Sequence, residues 1–154
     1  MKKALSFIIP VLACFAVGWT ASYFQADSLA NWYPYLNKPT LTPPNFVFPI
    51  AWGILYLCMG ISIGLIYNTP TPRRKFFVTL FAIQLFFNFT WSISFFTMQN
   101  PMLGLINILV LDLLVIYYAI DSWRVNRAAS VLFWPYVLWL GFATYLNIFI
   151  LMHN

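Results

Sequence analysis

Apolar positions fall into five runs of roughly 20 residues, at about 5 to 25, 46 to 67, 76 to 97, 102 to 122 and 131 to 152. Each run is long enough to cross the hydrocarbon core of a bilayer as a helix, the form that satisfies every backbone polar group within the segment. Polar positions collect between the runs, in a proline-rich loop at 26 to 45, the basic turn "NTPTPRRK" at 68 to 75, "QNP" at 99 to 101 and "WRVNRAAS" at 123 to 130. The pattern predicts an all-α integral membrane protein: one domain over 1 to 154, a bundle of five transmembrane helices with a partly ordered loop between the first two. Three of the four connections are short, so successive helices are expected as antiparallel neighbours.

Composition agrees with this reading. Of 154 residues, 62% are hydrophobic and 7% charged, more apolar surface than a soluble domain of this size can hide. With five spans, Lys2, Lys3, Arg73, Arg74, Lys75, Arg124 and Arg127 share one side, and Lys38 alone occupies the other. Translocated loops are poor in Lys and Arg, which predicts a multi-pass cell-membrane protein with a cytoplasmic N-terminus and an outward C-terminus and long loop. The net charge of +5 is thus a topology signal, and nucleic acid is not an expected partner. The start "MKKALSFIIPVLACF" resembles a signal peptide, but the apolar run continues to Phe24 without a small-x-small site, so the segment is read as a retained span. Cys14 and Cys58 lie within spans and form no C-x-x-C pair, as expected of reduced, packed thiols.

Several spans carry polar or aromatic stripes. Gln84, Asn88, Trp91, Ser92 and Phe95 fall within a sector of about 100° on the third helix, while Thr90 and Ser94 fall outside it. Amides cannot face hydrocarbon unpartnered, so this stripe is expected to look into the bundle, either for interhelical hydrogen bonding or to line a pocket. The second helix presents Pro49, Trp52, Tyr56 and Ile63, and the fifth Pro135, Tyr136, Trp139, Ala143 and Leu146. Aromatics, one amide and one small residue suit a large planar, mostly apolar ligand, although such stripes also build cores. Cys14, Gly18 and Ser22 in the first helix, and Gly60 and Gly64 in the second, mark close helix approach, within the bundle or between subunits.

In the long loop, Trp32, Tyr33 and Tyr35 are expected to bury against the bundle mouth, and Asp27 or Ser28 to cap a short helix. The loop then anchors at the interface or covers a cavity. Asp112, the one acid near mid-span, is either a functional acid or a neutral carboxyl bonded to a neighbouring helix, with an indole N–H or an amide as the expected partner. The only histidine, His153, is penultimate, so paired axial histidines are absent. The chain also lacks Cys/His metal spacing, a Ser-His-acid set and a phosphate loop. No metal site and no covalently bound cofactor are expected.

Three separated motifs then coincide: "LNKPTLTPPNFVFPIAWGILY" at 36 to 56, "QLFFNFTWSISFF" at 84 to 96 and "WPYVLWLGFATYLN" at 134 to 147. Together they resemble the tryptophan-rich sensory protein family, also called the translocator protein or peripheral benzodiazepine receptor family, over essentially the whole chain. The resemblance implies a five-helix bundle, commonly a homodimer, whose pocket beneath the first loop binds porphyrins and benzodiazepine-site drugs. By position it implies a ligand site of Tyr33, Pro43, Pro44, Phe48, Trp52, Asn88, Trp91, Trp139, Ala143 and Leu146. It further implies promotion of light-dependent breakdown of protoporphyrin IX, as ligand and substrate, with Trp52 and Trp139 as the catalytic candidates. On this reading the macrocycle stacks between those two indoles, Asn88 supplies a hydrogen bond and Lys38 meets a propionate. Two other readings need the same pocket: a tetrapyrrole transporter gated by Asp112 and the loop, or a ligand-responsive sensor reaching a partner through Arg124 and Arg127. The sterol motif of animal relatives lacks its cation after Tyr145, so a sterol role is not implied.

Overall fold

A computed structural model describes residues 2 to 154, and the side chains from residue 3 onward. Among the described residues, five helices are long and apolar enough to cross a membrane: α1 (Lys2–Asn31), α2 (Val47–Asn68), α3 (Arg74–Ser92, continued by a π-helical turn Ile93–Thr97), α4 (Pro101–Ser122) and α5 (Arg127–His153). A short 3-10 turn, Tyr33–Tyr35, sits in the first connection, and there is no strand among the described residues. The bundle therefore has two ends. The basic end carries Lys3, Arg73, Arg74, Lys75, Arg124 and Arg127; the loop end carries the first connection and the C-terminus.

The connections explain themselves locally. Asn100 caps α4 by accepting the Leu103 N–H at 3.0 Å, with Pro101 at the first helical position, where its missing N–H costs nothing. Gln99, at φ 48°, makes the left-handed residue that turns the chain from α3 into α4. Asn126 caps α5 in the same way through the Ala129 N–H, at 3.1 Å. Arg73, just before α3, forks onto Asp121 at the end of α4, and that pairing holds the guanidinium pKa above its ordinary value.

Two expectations about the elements are corrected. First, α1 does not end near residue 25: it continues to Asn31, so Asp27 and Ser28 are helical and cap nothing. Side chains carry the extension, with Asn31 donating to Asp27 at 2.7 Å and the Ser28 hydroxyl donating to the Phe96 carbonyl at 2.6 Å. Second, successive helices are not all close neighbours. The helices pack around the ring in the order α1, α2, α5, α4, α3, and α2 barely touches α3. The basic turn carries the chain across the end of the bundle, and α5 fills the place beside α2.

The half of the bundle nearer the basic end is solid, with Met59, Ile66, Phe77, Tyr118 and Phe133 fully buried. Buried hydroxyls there find partners: Ser62 bridges the Tyr118 hydroxyl and the Ala129 carbonyl, and Ser130 donates to the Ala119 carbonyl at 2.6 Å. The G-x-x-x-G of α2 works inside the bundle, because a Cβ on Gly60 would strike Val11 and one on Gly64 would strike Phe7 of α1.

Candidate functional site

Toward the loop end the helices part around a cavity of about 530 Å³, a volume typical of sites for drug-sized ligands. The stripe on α3 does face inward: Asn88, Ser92 and Phe95 are buried, Trp91 is half-buried, and all four line the cavity. Gln84, one turn deeper, is fully buried below the cavity and finds no hydrogen-bond partner among the described residues.

The floor is a polar bridge across three helices. Tyr56 of α2 donates to Asn88 Oδ1 at 3.3 Å, and Asn88 Nδ2 donates to the Tyr136 hydroxyl of α5 at 2.8 Å. The amide is thereby held, and one N–H and one lone pair remain for a ligand. Trp52 stacks on Tyr56 with centroids 5.5 Å apart and meets Tyr136 edge-on, while Trp139 is wedged against Phe48 at 5.9 Å. Trp91 stacks on Phe95 at 5.8 Å, and its indole N–H reaches Asn147 Oδ1 at 3.3 Å. Asn147 in turn donates to the Pro101 carbonyl at 2.7 Å, tying α5 to the start of α4.

Of the residues singled out from the sequence, Tyr33, Phe48, Trp52, Asn88, Trp91, Trp139, Ala143 and Leu146 line this one cavity. Pro43 and Pro44 do not. Their stretch builds turns, with Thr42 N–H bonded to the Pro39 carbonyl and Val47 N–H to the Pro44 carbonyl, and it delivers Asn45 and Pro49 to the rim instead. Asp112 is also apart from the cavity: it accepts the Thr144 hydroxyl at 2.7 Å, so its partner is neither an indole nor an amide, and it joins α4 to α5.

Sequence reasoning did not name Asn147, although an amide within a span is itself a signal and this one falls about 20° from Tyr136 on the face drawn on α5. It also missed the α1 wall of Phe15, Trp19 and Gln25, since Gly18 and Ser22 on that helix were read only as marks of close helix approach. The π-helical turn is a further element without a sequence signal. It places Phe95 and Phe96 together at the cavity, their rings 4.8 Å apart.

The loop closes the top. Tyr33 is buried against Phe96 and Ile150, which pushes its phenol pKa upward, whereas Tyr35 is 83% exposed and does not bury as expected. Lys38 does not wait for an anionic group. Its ammonium donates to the carbonyls of Tyr33, Pro34 and Leu36 at 2.8 to 3.2 Å, which uses all three of its hydrogens, and desolvation lowers its pKa. Asn37 and Asn154 bond to each other twice through backbone and side chain, which fastens the loop to the end of α5.

The sequence model of the TspO/MBR family matches residues 10–153. The chain belongs to this family. Among relatives of the TspO/MBR chain, a tryptophan-rich protein TspO of Chlorobaculum tepidum is 37% identical, covering 99% of this chain and 98% of its own. A second, from Archaeoglobus fulgidus, is 37% identical over 97% of each chain. The human translocator protein is 29% identical over 91% of this chain and 82% of its own. Family membership and the five apolar helices make it a multi-pass membrane protein.

Proposed function

We propose that this protein binds protoporphyrin IX or a related tetrapyrrole in the loop-end cavity and promotes its photo-oxidative degradation, and that the same cavity accepts benzodiazepine-site drugs. The observation that carries the reading is one cavity walled by Trp52, Trp91 and Trp139, with a fixed amide at its floor and, among the described residues, no charged side chain lining it. Such a site recognises a flat, apolar, π-rich molecule by stacking and shape.

The chemistry is the ligand's own, and the protein confines it. Light excites the porphyrin, which passes its energy to dioxygen. The activated dioxygen adds across a methine double bond, and the opened ring keeps both oxygen atoms as two carbonyls, so the protein gives up no electrons. Trp52 and Trp139 hold the macrocycle against the site and are the nearest oxidisable groups. Since Lys38 is spent on the loop, the propionates are placed at the rim, near Asn45 and Gln25, where water can reach them. The filled basic-end core favours this reading over a path straight through the bundle. The charge distribution supports a cell membrane with the basic end inside. A homodimer is the assembly proposed from the resemblance.

The test is illumination of purified protein saturated with protoporphyrin IX. Wild type is expected to bleach the porphyrin spectrum, with products distinct from those of free porphyrin, and Trp52→Phe and Trp139→Phe to slow this by about tenfold or more. Wild-type rates in both variants would refute the role given to the indoles.

A further inference from the structure

We propose that the cavity loads sideways from the bilayer, through a gap between the loop-end halves of α1 and α2 that begins beyond the contact of Gly18 with Tyr56 and that Gly53 keeps open. For the nature of the ligand, a planar amphipathic molecule dissolved in the bilayer, this rests on the function proposed above; the gap itself does not.

The gap follows from the packing of the two helices. Phe7 and Val11 of α1 meet Gly64 and Gly60 of α2, an antiparallel register that sets Gly18 opposite Gly53. Gly53 lies about two turns from Gly60, on the same face of α2. Yet a Cβ on Gly60 or Gly64 would collide with α1, whereas one on Gly53 would meet nothing within 4 Å. The helices are therefore pressed together toward the basic end and apart toward the loop end. Tyr56, whose ring lies against Gly18, forms the lower edge of the opening.

Both glycines line the cavity, so the gap is continuous with it. Trp19 shows that it reaches the outside: this side chain lines the cavity and is also 80% exposed. On the opposite lip, Ile50 and Ile54 are each 57% exposed, as on a lipid-facing surface. The aqueous approach is the strapped one, closed by the Lys38 knot, buried Tyr33 and the Asn37 to Asn154 clasp. A molecule concentrated in the bilayer meets an opening bordered by the bare Gly53 backbone and an indole, and a molecule in water meets a tied loop.

The experiment reconstitutes the protein in phosphatidylcholine vesicles and follows tryptophan quenching by protoporphyrin IX in the dark with time. Gly53→Leu, whose side chain fills the gap, is expected to slow association by about tenfold and to slow dissociation as well, because a gate acts on both directions. Asn154→Ala, which removes both bonds of the clasp, is expected to leave the association rate as it is. An association rate in Gly53→Leu within about twofold of wild type, or faster association in Asn154→Ala, would overturn the proposal. A second arm needs no porphyrin. A nitroxide on Gly53→Cys, in a chain with Cys14→Ala and Cys58→Ala, should be mobile and readily relaxed by oxygen in the bilayer; an immobilised, oxygen-shielded label would also overturn it. If wild type fails to bind porphyrin, the proposed function fails, and this label still decides the gap.

Discussion

Asn88 is a helix tie before it is a ligand group. Its amide joins the hydroxyls of Tyr56 and Tyr136, so Asn88→Ala strands two buried hydroxyls and is expected to cost about 1 to 3 kcal/mol and to weaken porphyrin binding. Thermal unfolding in detergent and dark titration measure the two effects. Gln84 on the same stripe behaves oppositely. Because its buried amide has no partner among the described residues, Gln84→Leu removes an uncompensated polar group and should raise the unfolding temperature. A lower one would mean that the amide has a partner. The angular position of both residues was legible in the sequence, since 100° per residue fixes a face. Their partners were not, because a single sequence does not state which helix stands opposite.

At the scale of elements, α1 is attached to α2 by contact of glycines with side chains and backbone. Gly60→Ala would drive its methyl group into the Val11 backbone, which cannot swing aside as a side-chain end can; a loss of about 1 to 3 kcal/mol is expected. Gly53→Ala, which meets nothing, should unfold with wild type, and equal destabilisation of the two variants would contradict the splayed packing. The loop has a pH signature. Burial raises the Tyr33 pKa, so its contribution is complete below the ordinary phenol value of about 10 and is lost as pH rises through the higher folded value. Protease protection of the loop should therefore fall only in strongly alkaline buffer, and Tyr33→Phe should abolish that step. The sequence marked this loop as ordered through its aromatics and prolines, yet it placed the boundary six residues early. The polar stretch "ADSLAN" reads as loop until Ser28 and Asn31 are seen to find partners along and beside the helix.

For the whole molecule, hydrophobic run length predicted five spans, and their bounds agree with α2 and α4 to within a residue or so. Run length carries no information about neighbours in the ring, however, and the assumption that short connections mean adjacent helices failed between α2 and α3. That failure matters for function, because the parting of α2 from α3 with α5 alongside is what leaves space among Trp52, Trp91 and Trp139. Asp112 lies on the far side of this arrangement, at the α4 to α5 contact, which a one-dimensional pattern cannot distinguish from the cavity. The central claim is that this space is the porphyrin site, and Ala143 gives the most direct access to it: its side chain is small, lines the cavity and is 8% exposed. The decisive measurement is a dark equilibrium titration of protoporphyrin IX against wild type and Ala143→Phe, with the helical content of each checked by circular dichroism. Saturable quenching in wild type and a loss of affinity of about a hundredfold or more in a folded Ala143→Phe are expected. Equal affinity in the two proteins would place the porphyrin elsewhere and contradict the account.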